Sequence, residues 1–248
     1  MKQLSLPRWL QKGILLLLVV ATVFGTLSVS AAGLRFNDVP ASAWYYQDVV
    51  YAVEHGLMNG TSTTAFTPNG ITNRAMFVTM LYRMEKEPEV RGQMPFSDCA
   101  QFAWAQKAII WASQNEIVTG VGNGRFAPGN PITREQMAVM LYRYTKKKGY
   151  PMKAGADLSK SFPDDYKKIS TWAKDAVAWA NAEGLVNGTS KTAFTPLSQA
   201  PRCQVAAIFH RFCVNILPDD PDDPDDPDDP DDPIDPDDHG IVLPIHHR

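Results

Sequence analysis

The chain has 248 residues, 44% of them apolar, which is enough for a sizeable core and ordinary for a globular protein. Its formal net charge of −3 hides an asymmetry: 13 of the 27 acidic residues lie between Asp219 and Asp238, while Gly33 to Leu217 holds 20 Lys/Arg against 14 Asp/Glu, a balance of about +6. Such a body suits an anionic partner (nucleic acid, anionic lipid or acidic polysaccharide), and the odd count of three cysteines excludes a fully paired disulfide framework.

Residues 1–32 read as a secretory signal. Lys2, Arg8 and Lys12 precede an apolar run from Ile14 to Phe24, and the small residues Ser28 to Ala32 offer a cleavage site near Ala31 or Ala32. A retained anchor is the rival reading, but a spanning helix needs about 20 apolar residues and the run is shorter, which favours cleavage. No other segment is apolar enough to span a membrane.

From Gly33 the chain writes one unit three times, predicted here as repeats over 33–92, 93–154 and 155–216. The first reads Phe36-Asn37-Asp38-Val39, Trp44, an apolar helical run ending His55-Gly56-Leu57, Asn59-Gly60 and Phe66-Thr67-Pro68. The second repeats it 60 residues on, with Phe96, Asp98, Trp104, Trp111 for Tyr51, Gly120, and Phe126-Ala127-Pro128. The third follows at 68, with Trp172, Trp179, Gly188 and Phe194-Thr195-Pro196; its opening Phe162-Pro163-Asp164 lags by 66, which predicts two inserted residues within the Asp165 to Thr171 loop. Each unit predicts helix, loop, helix, so the fold class is all-α. Gly56 and Gly184 are natural left-handed stops for the first helices, with Asn115 filling that place in repeat 2. Gly60, Gly120 and Gly188 mark a sharp turn or a close approach.

The second helices open on Asn73-Arg74, Thr133-Arg134 and Pro201-Arg202, and in each a second arginine follows nine positions later (Arg83, Arg143, Arg211). Thr133 with Gln136 makes a capping box; Asn73 caps alone, because Met76 stands where a box needs Glu or Gln. Pro201 has no cap oxygen and prefers the first helical position, so the third helix is expected to start one residue early, weakly capped at Ala200. A unit of about 60 residues cannot bury its apolar stripe alone, and three copies suffice to close a domain around Met76, Met80, Leu81, Met137, Leu141, Val205, Ile208 and Phe209.

Other chemistry is not legible. Asp38, Asp98 and Asp164 recur once per unit, which argues for a turn role and not for one asymmetric catalytic centre. His55 and His210 stand isolated, and His246-His247 read as a terminus. Lys146 to Lys148 read as a solvated helix end. Cys203 and Cys213, on one predicted helix, lie about 15 Å apart along its axis and cannot bridge. No phosphate loop, nucleophile elbow or zinc spacing appears.

The order F-x-D, W, apolar helix to G-L-x-x-G, F-x-P and then T-R-A-E opening L-x-R resembles the S-layer homology family over about residues 33 to 215. The resemblance implies a pseudo-threefold bundle with grooves between repeats. It also implies a non-catalytic, cofactor-free module of a secreted protein that binds pyruvylated secondary cell-wall polysaccharide on a Gram-positive-type wall, with no nucleic-acid or membrane partner. By position the motif arginine falls on Arg74, Arg134 and Arg202, the first two behind the caps Asn73 and Thr133; the rival reading is that each arginine pairs with an acid of a neighbouring repeat, Asp38, Asp98 or Asp164. Gly60, Gly120 and Gly188 would let backbone approach the sugar, and Trp44, Trp104 and Trp172 would be either flat sugar walls or core. A pyruvate ketal is a carboxylate, which the arginine fork binds bidentately, and a helix start adds amides and dipole. The family glutamate survives at none of the three positions, which hold Met76, Gln136 and Gln204. On its complete cap Thr133-Arg134 is the site expected to bind best, and Pro201-Arg202 the least.

Residues 217–248 carry Asp-Asp-Pro repeats and read as an extended acidic spacer with no core. A spacer implies either an exposed end or a lost downstream domain. The alternative to wall binding is a structural or adaptor role in which the repeats or this tail bind a protein partner.

Overall fold

The computed structural model describes residues 35–218. Each repeat supplies a nine-residue helix and a longer one: α1 (Tyr46–Glu54) and α2 (Arg74–Met84), α3 (Gln106–Gln114) and α4 (Arg134–Lys148), then α6 (Lys174–Ala182) and α7 (Arg202–Ile216). A four-residue helix, α5 (Leu158–Ser161), leads into repeat 3, with Asp157 accepting from the Ser159 amide as its cap. The described residues form no strand beyond isolated bridges. The expected leader and the Asp-Asp-Pro run fall outside the described residues, among which no helix is long and apolar enough to cross a membrane.

Each long helix packs chiefly on the short helix of the next repeat: α2 on α3, α4 on α6, and α7 back on α1. An aromatic pair marks every seam, with ring centroids 5.7 Å apart for Tyr82 and Trp111, 5.6 Å for Tyr142 and Trp179, and 4.3 Å for His210 and Tyr51. The stripe of one repeat is thus covered by its neighbour, and the three repeats close into a threefold bundle with the long helices inside. Phe77 and Phe209 meet there at 5.1 Å, Tyr144 and Phe212 at 5.7 Å. Met80, Leu81, Met137, Leu141, Val205, Ile208 and Phe209 are buried as expected, but Met76 is only half-buried.

Three backbone hydrogen bonds run in a circle at the centre. Thr72 N–H donates to Ala200 O (3.0 Å), Ala200 N–H to Ile132 O (3.2 Å), and Ile132 N–H to Thr72 O (3.0 Å), all at residues with no exposed surface. The residues three positions ahead of the long helices bridge to the neighbouring caps: Ile71 with Pro201, Pro131 with Asn73, and Gln199 with Thr133.

That ring corrects the expected early start of α7. The helix begins at Arg202 with Pro201 as its extended N-cap (φ −68°, ψ 154°), so all three arginines occupy the first helical position. Pro201 is held in the bridge to Ile71, and carbonyls of repeat 1 cap the first amides of α7, so no side-chain cap is needed. The capping box at Thr133 and the single cap at Asn73 form as expected.

The left-handed stop of repeat 2 is Glu116 (φ 61°), not Asn115, at the place of Gly56 (φ 66°) and Gly184 (φ 72°). Asn115 instead donates its side-chain amide to Trp111 O at 2.9 Å and keeps a helix-side conformation (φ −90°). A glutamate there carries left-handed strain of about 1 kcal/mol. Glu116→Gly is therefore expected to raise unfolding stability by about 0.5–1 kcal/mol, after allowing for the greater freedom of glycine in the unfolded chain. An unchanged urea midpoint would show that the strain is absent.

The histidines are not isolated. Tyr51 is stacked between His55 (3.8 Å) and His210 (4.3 Å), and His210 Nδ1 lies 2.8 Å from Asp48 Oδ1, fastening α7 to α1 where the ring closes. Cys99, Cys203 and Cys213 are unpaired, and no cluster among the described residues could hold a metal ion.

Candidate functional site

Between the helices of each repeat the chain makes a tight loop whose shape an aspartate fixes. Asp38 accepts from Phe66 N–H (2.8 Å) and Thr67 N–H (2.7 Å), Asp98 from Phe126 N–H (2.8 Å) and Ala127 N–H (2.9 Å). The third member is Asp165, which accepts from Phe194 N–H (2.8 Å) and Thr195 N–H (2.6 Å). Asp164, expected in this place, accepts instead from the Thr192 hydroxyl (2.6 Å), while its amide makes the bond to Thr192 O that Asn37 and Ser97 make to Thr64 O and Gly124 O. One of the two inserted residues therefore falls ahead of the clamp, at Pro163, and only the other falls in the loop after Asp165. The clamped residues Thr67, Ala127 and Thr195 all have left-handed backbone (φ 57°, 57° and 53°). Two charge-assisted amide bonds hold a conformation that L-residues resist.

The clamp aims the phenylalanine carbonyl at the preceding repeat. Arg74 Nε–H donates to Phe126 O (2.9 Å), Arg134 Nε–H to Phe194 O (2.8 Å), and Arg202 Nε–H to Phe66 O (2.8 Å). Each guanidinium lies over the same phenylalanine ring, at 4.6, 5.0 and 4.4 Å from the centroid. The arginines are thus buried staples between repeats, 5%, 5% and 8% exposed. Burial lowers all three pKa values, that of Arg134 to about 10, while the clamp carboxylates Asp98, Asp165 and Asp38 work in the opposite direction. At neutral pH each remains a cation.

The helix starts offer fewer free amides than expected. Arg74 N–H and Ala75 N–H donate to Asn130 O and Pro128 O, both at 3.0 Å. Arg134 and Glu135 donate to Ser198 O and Pro196 O (both 3.1 Å), Arg202 and Cys203 to Gly70 O (2.8 Å) and Pro68 O (2.9 Å). A neighbouring loop therefore occupies the first two amides of each long helix, and Asn73 and Thr133 cap the third position of their own helices.

Gly60, Gly120 and Gly188 lie in the same loops, and the close approach they permit is internal. A Cβ at Gly60 would stand 2.4 Å from Phe36 Cε1 and 2.5 Å from Ser62 O; at Gly188 it would stand 2.3 Å from Ser190 O. Gly120 is also left-handed (φ 77°), with Arg125 O at 2.5 Å. The tryptophans are surface residues: Trp44 is 63% exposed, Trp104 56% and Trp172 57%. Core packing does not account for them.

A groove of about 440 Å³ opens over repeat 2 and draws on all three repeats. Arg74 reaches in from repeat 1, Trp172 stands over it from repeat 3, and repeat 2 supplies the 117–121 loop together with Gln136, Val139, Met140 and Arg143 along one face of α4. Arg143 and Thr119 are the contributors that single-residue reasoning missed, although the nine-residue spacing of the arginines held the clue. Nine residues are about two and a half helical turns, so the two arginines of one helix face opposite ways. The first serves the groove of the next repeat and the second that of its own. Arg143 Nη1 sits 3.5 Å from Thr119 Oγ1, as Arg83 and Arg211 sit 3.3 and 3.4 Å from Leu57 O and Leu185 O.

The S-layer homology domain matches residues 35–76, 95–138 and 164–200, one segment per repeat, and the chain belongs to this family. It is similar to an endoglucanase of Bacillus sp. (strain KSM-635), 34% identical over 70% of this chain and 18% of that protein. It is also similar to an S-layer protein of Bacillus thuringiensis subsp. finitimus (28%; 76% of this chain, 22% of that protein) and to the S-layer protein sap of Bacillus anthracis (33%; 57% and 18%). The chain spans at most about a fifth of the length of these relatives. A stretch shared by an endoglucanase and two S-layer proteins supports a cell-surface anchoring module.

Proposed function

We propose that the repeats hold their protein on a Gram-positive-type cell wall, without catalysis, by binding pyruvylated secondary cell-wall polysaccharide in the grooves between repeats. The observation that carries this reading is the groove over repeat 2, where the cations Arg74 and Arg143 and the carboxamide of Gln136 stand beneath the exposed indole of Trp172. An arginine fork in a largely desolvated wall suits a carboxylate, and a flat apolar face beside it suits a sugar ring. Arg134 with Trp44, and Arg202 with Trp104, take the corresponding places in the other two grooves. Asn73 and Thr133 act indirectly by setting the helix starts, and Gly60, Gly120 and Gly188 by keeping the loops thin.

The test is co-sedimentation of the purified chain with wall sacculi before and after removal of pyruvate from the polysaccharide. Pelleting with intact walls and loss to the supernatant after depyruvylation is the expected result. Pelleting that survives the treatment, or that needs the acidic tail and not the arginines, would turn the reading toward a protein adaptor.

A further inference from the structure

The three motif arginines share one backbone environment and differ in how many donors the protein has already used. Arg134 has a protein partner on each of its three nitrogens: Nε on Phe194 O, Nη2 on Asn187 O (2.6 Å) and Nη1 on Gln204 Oε1 (3.2 Å). Arg202 has spent two, Nε on Phe66 O and Nη2 on Asn59 O (2.6 Å). Arg74 uses only Nε, on Phe126 O; the residue is 5% exposed, its two terminal nitrogens have no hydrogen-bond partner among the described residues, and it lines the 440 Å³ groove.

The difference at Nη1 traces to the caps. Gln136 closes the capping box, taking the Thr133 amide on its own Oε1 (3.3 Å), and is thereby held back from Arg74. Gln204 holds the same place in α7, but Pro201 has no amide hydrogen to offer, so no box can form and the Gln204 carboxamide turns to Arg134. In repeat 1 the place belongs to Met76, which neither engages Arg202 nor offers a polar contact to a ligand.

Resting on the wall-polysaccharide reading, we propose that the grooves are unequal: the Arg74 groove is the principal carboxylate site, and Gln204, released by Pro201, occludes the Arg134 groove from within. The complete cap at Thr133 thus tunes the groove ahead of it, the one Arg74 enters, by restraining Gln136. The groove that Arg134 enters is tuned by the missing cap at Pro201. A carboxylate entering the Arg74 groove meets two terminal nitrogens of one fork that hold no partner, whereas at Arg134 it competes with Gln204 at Nη1 and with Asn187 O at Nη2. This order, Arg74 before Arg202 before Arg134, moves Arg134 from the first place expected from cap quality to the last.

Calorimetric titration of the full chain with a monosaccharide bearing a pyruvate ketal, and with the same sugar lacking it, tests the proposal. One tight site per chain is expected. Arg74→Gln should weaken it about tenfold or more, the loss of a charge-assisted bidentate contact, and Arg134→Gln clearly less. Because Arg74 is also a staple, two variants leave it in place: Gln204→Met unblocks Arg134 and Pro201→Thr restores the amide that draws Gln204 away, and each should add a second site. Equal losses from the two arginine changes, or a stoichiometry that neither repeat-3 variant raises, would overturn the inequality while leaving wall binding intact. No pyruvate-dependent heat from the unaltered chain would overturn both.

Discussion

Arg202→Met is expected to destabilise the bundle by about 2–4 kcal/mol, because the substitution keeps the length of the stem and removes every donor from its head. Phe66 O and Asn59 O would lose their partners at 2.8 and 2.6 Å in a setting where the arginine is 8% exposed, and the Phe66 ring would lose its cation. The contacts join residues 136 and 143 positions apart, so they belong to the closure of repeat 3 onto repeat 1. A urea titration measures the effect as a lower midpoint. A loss below about 0.5 kcal/mol, the range of an ordinary surface substitution, would show that Arg202 is not a staple.

Asp165→Ala should cost a comparable amount, about 2–4 kcal/mol, while its neighbour Asp164→Ala should cost less than about 1 kcal/mol. The first change removes both amide bonds that hold Phe194 and Thr195, leaves Thr195 in left-handed backbone without support, and lets the Phe194 carbonyl drift from Arg134. The second removes one exposed bond to a threonine hydroxyl. The reverse ranking would restore Asp164 to the clamp. The clamps of repeats 1 and 2 add a pH dependence. Burial pushes the Asp38 and Asp98 carboxyls up, but the amides of Phe66 and Thr67, and of Phe126 and Ala127, together outweigh it and hold both below the usual carboxylate range. A depressed carboxylate contributes stability that is complete above its unfolded pKa near 3.9 and is lost as pH falls through the lower folded value. Acid unfolding is therefore expected to set in below about pH 4, and the Asp38→Asn, Asp98→Asn double variant to flatten that limb.

The all-α class, the three units and the cap of α4 were legible because they rest on local rules: helical spacing, a hydroxyl three residues ahead of a carboxamide, and repetition at 60 and 68. The helix starts were misread at Pro201 because the partner that caps α7 is a carbonyl of repeat 1, some 130 residues away in the chain. Glu116 was overlooked because Asn115 is the better left-handed residue by type, and only the end of α3 shows which position must turn. The shift from Asp164 to Asp165 had the same cause: a one-residue insertion at Pro163 leaves the F-x-D spelling intact while moving the clamp one residue on. The arginines were visible as a family motif, and the two jobs they divide were not. Whether Nη1 holds a partner depends on whether Gln136 or Gln204 is tethered by its own helix start, a matter of three-dimensional neighbours.

The circle of Thr72, Ile132 and Ala200 has a temporal consequence. Its bond from Thr72 to Ala200, like the seam of α7 on α1, joins the first repeat to the third, and contacts of such long loop span are the slowest to form. A chain that grows from its N-terminus has made two of its three repeats before any of Trp172, Ala200 and Arg202 exists; without repeat 3, repeat 1 lacks the partner for α1 and the groove of repeat 2 lacks Trp172. Loss of the third repeat would remove its own groove and also take one wall, Trp172, from the groove over repeat 2.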